Sequence, residues 1–325
     1  MAGEERFLVT GAAGCLGAWT VARLAAEGTS VVAFDASLDK YRLRYLMGEG
    51  AVEKVPWVQG DIRDLAQLES LAGSHSITHL VHLAALQVPA CKADPVTGSQ
   101  VNVVGTMNVF EVARRSEGRI RGLAYASSAA AFGPAANYAD GIATDTDLLA
   151  PQTLYGVFKQ ANETTARIYG SDWGTGSIGL RPCVVYGPGR DQGLTSDPTK
   201  VMLAAARGES GHIAFGGSST FHHAEDVAAM FIAAARLEPA GAAVYNVGGT
   251  DTSIEEFASM VEKAVPKVAV TFGTEALPLP SAIEGSPGKK VLGDVVRFRT
   301  LEEGVDDTIE QFRRLLREGL ISTRE

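Results

Sequence analysis

The fold is decided by the stretch Arg6-Phe7-Leu8-Val9-Thr10-Gly11-Ala12-Ala13-Gly14-Cys15-Leu16-Gly17, RFLVTGAAGCLG in one-letter code. Five residues of strand character run straight into a GxxGxxG spacing, and from Leu16 to Glu27 the apolar side chains recur at intervals of three and four, as on a helix. Strand, glycine turn and helix in that order make a cradle for a dinucleotide. Gly11 permits the tight turn, Gly14 lets the backbone approach a pyrophosphate, and Gly17 lets helix and strand pack closely, with the phosphates on N–H groups of the helix N-terminus. The spacing alone is a weak signal, because small residues also serve plain turns. Asp35 strengthens it, since it ends the next strand-like run, Ser30 to Asp35, where a carboxylate accepts hydrogen bonds from the adenosine ribose hydroxyls.

That carboxylate repels a 2′-phosphate, and no Arg follows within Ala36-Ser37-Leu38-Asp39, so NAD is expected over NADP; Lys40 and Arg42 are the nearest basic residues. Asp61 and Ile62, after the third strand-like run, are placed to flank the adenine, with the carboxylate accepting from its amino group. The other reading of Asp61 is a turn residue between Gly60 and a helix. Cys15 is read as a small side chain tolerated in the loop.

Working outward, strands are expected at Arg6 to Thr10, Ser30 to Asp35, Val55 to Gln59, His79 to Leu83, Gly122 to Ser127 and Ser177 to Val185. Helices are expected at Leu16 to Glu27, Leu65 to Ala72, Val96 to Ser116 and Thr153 to Tyr169. Such alternation marks a parallel sheet with crossover helices. The fold class is therefore α/β, a Rossmann-type doubly wound parallel sheet with a smaller C-terminal substrate-binding lobe. Residues 1–187 form the expected NAD domain, with 240–250 returning to it, and 188–325 mainly the lobe. The lobe has helices at Ala224 to Leu237, Ser253 to Val265 and Val305 to Arg317, and a Pro/Gly-rich loop at Leu277 to Gly293. On Val96 to Ser116, Val101, Val104, Met107, Val109, Phe110 and Ala113 make an apolar face broader than a sheet needs. It reads equally as a dimer contact and as burial within one chain.

Composition excludes other classes. The 325 residues are 46% apolar and 21% charged, as in globular proteins, and the net charge of −9 supplies none of the counterion release that drives nucleic-acid binding. No stretch of about 18 apolar residues offers a membrane span, and the start MAGEERFLVTG has the wrong charge order for a signal peptide. Cys15, Cys91 and Cys183 are odd in number and far apart, which suits neither a disulfide framework nor a metal site. A cytoplasmic protein without metal, nucleic-acid or membrane partner is expected.

In Tyr155-Gly156-Val157-Phe158-Lys159 a phenol and an ammonium lie four residues apart, hence on one helical face about 5.4 Å from each other. A neighbouring positive charge favours the phenolate, which makes Tyr155 a candidate base near neutrality.

With these elements the sequence resembles the extended short-chain dehydrogenase/reductase superfamily, and within it the NAD-dependent epimerase/dehydratase family. The matching residues are GAAGCLG with Asp35, His82-Leu83-Ala84-Ala85, Asn102-Val103-Val104-Gly105-Thr106, Ser127-Ser128, YGVFK, Leu180-Arg181-Pro182 with Val185-Tyr186-Gly187-Pro188-Gly189, and Tyr245-Asn246-Val247-Gly248-Gly249. The resemblance implies that Ser128 hydrogen-bonds the reacting oxygen of the substrate and that Tyr155 is the base. It implies that Lys159 holds the nicotinamide ribose and lowers the Tyr155 pKa. Gly11, Gly14, Cys15, Leu16, Gly17, Asp35, Asp61, Ile62, Leu83, Ala84, Ala85, Asn102 and Pro182 join Tyr155 and Lys159 as cofactor contacts. His82 reads as a packed core residue. A homodimer through Val96 to Ser116 and Thr153 to Tyr169 is likewise implied.

Two departures narrow the chemistry. Where 4,6-dehydratases of the family carry Asp-Glu after the Ser or Thr, this chain has Ala129-Ala130, so elimination lacks its acid and base. Where relatives that take nucleotide-diphosphate sugars have an Arg, this chain has Ser219, and Pro182-Cys183 replaces an Asn. A substrate without a nucleotide is expected. The loop Gly187 to Lys200 offers Arg190, Gln192, Thr195, Ser196 and Lys200 to a small polyol, sugar acid or lactone, although Asp197-Pro198 also reads as a helix cap, Asp197, followed by Pro at the first helical position. His222 is a further candidate contact. The expected function is hydride transfer between NAD and a secondary alcohol or carbonyl through Ser128, Tyr155 and Lys159, with an NAD-dependent epimerase that keeps its cofactor as the alternative.

Overall fold

The computed structural model describes residues 4–293 and 298–322; residues 1–3, 294–297 and 323–325, and with them the outer ends of both expected domains, lie outside it. Seven strands form the main sheet: β1 (Arg6–Thr10), β2 (Ser30–Asp35), β3 (Trp57–Gln59), β4 (His79–His82), β5 (Gly122–Ala126), β6 (Ser177–Arg181) and β7 (Ala242–Asn246). They lie in the order β7-β6-β5-β4-β1-β2-β3, with every pairing parallel. The winding reverses between β1 and β4, and in such sheets a crevice opens at the carboxyl ends of the strands there.

Strand alternation feeds two cores, one on each face of the sheet. Phe7 and Val9 of β1 pack with the helices Cys15–Ala26 and Ala224–Arg236, while Leu8 packs with Leu68, Phe110 and Tyr169 of the helices opposite. A third core belongs to a smaller body, where the strands Val184–Tyr186, Ser218–His223 and Thr250–Ser253 form a sheet. Its centre is Met202, Phe221, Phe257 and Phe312, with the Phe221 and Phe257 rings stacked at 5.0 Å. No helix among the described residues is long and apolar enough to cross a membrane.

Four local expectations are corrected. Ser177 to Val185 is two strands, because Pro182 has no N–H for the ladder; its carbonyl accepts from Ala129 instead, and the chain changes sheets at Pro182-Cys183. Val96 to Ser116 is not one helix. Pro95–Ser99 and Gly105–Arg114 are joined by a wider π turn at Gln100–Val104, where the Asn102 carbonyl accepts from the Thr106 hydroxyl (2.7 Å) and the Asn162 amide (2.9 Å). Within Leu277 to Gly293 there is a two-residue strand, Ala282–Ile283, paired with Ile142–Ala143, and a helix at Ser286–Leu292. Finally, the helix at Asp197–Arg207 has Ser196 at its cap position, which frees Asp197 to accept from the Ala214 backbone (3.0 Å).

Candidate active site

One cleft runs along the carboxyl ends of β1 and β4. The half expected to take adenosine, called the adenosine half, has Gly11, Gly14, Cys15, Asp35, Asp61, Ile62, Leu83, Ala84 and Ala85 in its walls, and the candidate catalytic half adds Leu16, Gly17, Ser128, Tyr155, Lys159 and Pro182. Gly11 sits at φ +74°, and a Cβ there would come within 2.5 Å of the Ala84 nitrogen, so the two walls approach as closely as glycine permits. Gly14 is the cap residue of the helix Cys15–Ala26 and offers no capping side chain, so the N–H groups of the first turn remain available to a phosphate. The Asp35 carboxylate is fixed at the rim by the backbone N–H groups of Ala13 and Ser37, both at 2.9 Å.

The two nearby basic residues are already engaged. Lys40 lies over the Trp57 ring and within 4.0 Å of Glu53, while Arg42 donates to the Ala13 and Gly189 carbonyls (2.7 and 2.8 Å) and pairs with Asp191. Neither awaits a 2′-phosphate, and the residues present fit NAD. Asp61 is ion-paired with Arg63, whose guanidinium holds that carboxyl below its ordinary range. Asn102 does not line the cleft. It is 1% exposed, accepts from the Leu86 N–H (2.7 Å) and donates to the Leu86 carbonyl (2.9 Å), so it fixes the turn that carries Leu83 to Ala85.

The candidate catalytic residues come together through a close backbone contact. Thr153 caps the helix Leu154–Trp173 by accepting from the Gly156 N–H (3.1 Å). A Cβ on Gly156 would lie 2.0 Å from the Ala130 carbonyl oxygen. Only glycine lets the first helical turn rest on the turn after β5, and that contact sets Tyr155 beside Ser128. Burial pushes the Tyr155 phenol up, while the Ser128 hydroxyl and then the Arg190 charge pull it down. Lys159 is 3% exposed; its ammonium donates to the Ala126 carbonyl (2.6 Å), lies 5.4 Å from the centre of the Tyr155 ring, and is brought by burial from 10.5 to about 8. The Lys159 ammonium thus stands beside the phenol ring, and the Arg190 charge favours the phenolate. One turn further, Glu163 makes a buried bidentate pair with Arg181 (2.7 Å for both bonds) and accepts from Ser127, which locks the helix to the sheet.

Of the residues expected on the substrate side, Thr195 lines the catalytic half, Gln192 the adenosine half, and Arg190 both. His222 is a correction. Its Nε2 accepts from the Cys183 N–H (2.9 Å), its Nδ1 faces the Gly248 carbonyl (3.0 Å), and it is buried away from the cleft. His82 is a core residue between Thr10 and Thr106, held near 3 by burial. Lys200 is half exposed and pairs with Asp197. The sequence reading missed Gln87, Val88, Gln152, Thr153, Leu194 and Leu277-Pro278-Leu279, all in the wall. Leu277 to Leu279 lie in a stretch without period, so no pattern announced them. Ala129 and Ala130 line the cleft, and among the described residues no Asp or Glu does so in the catalytic half.

Comparison with known proteins identifies the family. Residues 7–248 match the NAD dependent epimerase/dehydratase family. A UDP-glucose 4-epimerase of Mycolicibacterium smegmatis is 31% identical over 95% of this chain and 98% of its own. Among solved structures, the UDP-glucose 4-epimerase of Thermus thermophilus, in complex with NAD, superposes with a TM-score of 0.78 at 26% identity, covering 95% of this chain and 99% of that one. MoeE5 in complex with UDP-glucose and NAD does so with a TM-score of 0.76 at 29% identity, covering 96% and 99%.

Proposed function

The chain belongs to the NAD-dependent epimerase/dehydratase family, and on that premise we propose that it is an NAD-dependent dehydrogenase acting on a secondary alcohol of a small polyhydroxylated substrate, a sugar, sugar acid or lactone. The observation that carries this reading is the convergence of Ser128, Tyr155 and Lys159 at one end of the cradle, with no carboxylate among the described residues in the wall around them. NAD, when bound, supplies the hydride acceptor. Ser128 holds the substrate oxygen, Tyr155 takes the hydroxyl proton at its phenolate oxygen, and the buried Lys159 ammonium steadies the phenolate and holds the cofactor ribose. A 4,6-dehydratase is disfavoured, because Ala129 and Ala130 hold and give no proton.

The missing nucleotide contact supports a small substrate. Ser219 is 3% exposed and lies behind Cys183, with its Oγ 3.2 Å from that sulfur, so no cation stands there for a diphosphate. The test is the nicotinamide released when freshly purified protein, never supplemented, is denatured. An empty protein supports NAD as co-substrate; near-stoichiometric bound NAD moves the epimerase ahead. That second reading has its own support in the Arg42–Asp191 bridge over the cofactor half of the cleft and in the epimerases among the relatives.

The proposal includes a homodimer. Val96, Val104 and Met107 on the interrupted helix, and Leu154 and Val157 on the catalytic one, are exposed apolar residues on the elements expected to pair. It also includes a cytoplasmic setting, in keeping with three free cysteines.

A further inference from the structure

Two cations line the catalytic half of the cleft, Lys159 and Arg190, and among the described residues no carboxylate does. Lys159 serves the phenol and the cofactor. Arg190 has no such assignment, and its charge is uncompensated. Its Nη1 donates to Gln87 Oε1 (3.2 Å) and the Gln192 carbonyl (2.7 Å), and its Nη2 to Thr195 Oγ1 (2.9 Å), all neutral acceptors. Asp191, next in the chain, is taken by Arg42 and Tyr41. Arg190 Nε is shut from solvent with no partner at all. Holding a half-buried guanidinium in one orientation without a counter-charge is costly, and an anion entering the cleft removes that cost.

We propose that Arg190 reads a carboxylate on the substrate, so that the substrate is a polyhydroxylated acid and not a neutral sugar or a nucleotide sugar. This rests on the dehydrogenase reading above. The placement suits it: Arg190 lines both halves of the cleft, between the Tyr155 phenol on one side and Cys15 of the glycine loop on the other, and both groups feel its charge. Leu194, Leu277 and Leu279 give the carbon chain an apolar wall, and Gln152 and Thr153 give its hydroxyls neutral partners. In the step itself the hydroxyl proton passes to Tyr155 and the hydride to NAD. The hydroxy acid loses two electrons to become a keto acid, NADH and a proton are the other products, and the carboxylate is unchanged. The other anion that could meet Arg190 is the diphosphate of the cofactor, and the experiment separates the two.

Protein loaded with NAD is offered D-gluconate, D-galactonate, D-glucuronate and D-galacturonate beside D-glucose, D-galactose and sorbitol, with NADH formation and the thermal unfolding midpoint as readouts. At least one acid should form NADH and raise the midpoint where its neutral counterpart does neither. Arg190→Gln should raise the KM for that acid by roughly ten- to a hundredfold while the Kd for NAD stays within about twofold, and Arg190→Lys should recover part of the loss. Midpoints of both variants no lower than that of wild type, without substrate, check that they fold. A neutral polyol used as well as the acids overturns the carboxylate and leaves the dehydrogenase standing. Weakened NAD binding in Arg190→Gln with an unchanged KM for the acid assigns the guanidinium to the cofactor diphosphate and overturns the proposal. No response to any of the acids, with NAD bound, overturns it as well, and no NADH from any compound also counts against the dehydrogenase.

Discussion

Arg42 and Asp191 meet across the cofactor half of the cleft, joining the helix Tyr41–Met47 to the loop after Val184–Tyr186. The Arg42 guanidinium also holds the Ala13 carbonyl of the glycine loop and the Gly189 carbonyl, and the Tyr41 hydroxyl donates to the second Asp191 oxygen (2.6 Å). One side chain thus ties the glycine loop, the second βα unit and the smaller body together where a pyrophosphate and ribose would lie. Release of the cofactor is expected to require this bridge to open. Asp191→Asn should therefore speed NAD dissociation roughly tenfold, about 1.4 kcal/mol off the barrier, in stopped-flow displacement. An unchanged rate would mean that the bridge does not gate release.

Tyr155→Phe should lower kcat by about 10²- to 10⁴-fold with the Kd for NAD little altered, because the ring stays and only the proton acceptor goes. Gly156→Ala should also lower kcat, since its Cβ would collide with the Ala130 carbonyl and push Tyr155 away from Ser128. Full turnover in either variant contradicts the assigned geometry.

Lys159 makes stability depend on pH in a stated direction. Burial lowers its folded-state pKa from 10.5 to about 8, so between those values the unfolded chain binds more protons and stability rises with pH; the cost is fully present below 8 and gone above 10.5. Wild type should gain on Lys159→Met across that window by up to about 3 kcal/mol at 1.36 kcal/mol per pH unit, in urea unfolding without NAD. Groups common to both proteins cancel in the difference. Parallel stability curves would refute the buried charge.

The dimer is tested at the helix surface. Val104→Glu with Met107→Glu places two charges on positions 43% and 37% exposed, and light scattering should then give a monomer mass where wild type gives a dimer. A wild-type monomer removes the dimer altogether.

Much of the fold was legible because β-branched runs alternate with helical periods, and because the glycine spacing and Asp35 place strand, turn and helix together. The nearness of Tyr155 and Lys159 was legible for a local reason: they share one helix face. What escaped reading depends on distant partners. The break at Pro182 needs a second sheet to receive Val184, the π turn at Asn102 needs Thr106 and Asn162, and the lining by Leu277 to Leu279 needs the small strand Ala282–Ile283 to anchor it. His222 misled because its exchange of bonds with the Cys183 and Gly248 backbone leaves no trace in a one-dimensional pattern.

The most direct test of the central claim is net NADH formed per chain when NAD and a polyhydroxylated substrate are supplied together, in wild type and in Tyr155→Phe. The dehydrogenase account predicts accumulation well beyond one NADH per chain in wild type and its near-complete loss in the variant. Substrate converted with no net NADH, or accumulation undiminished in Tyr155→Phe, would contradict it.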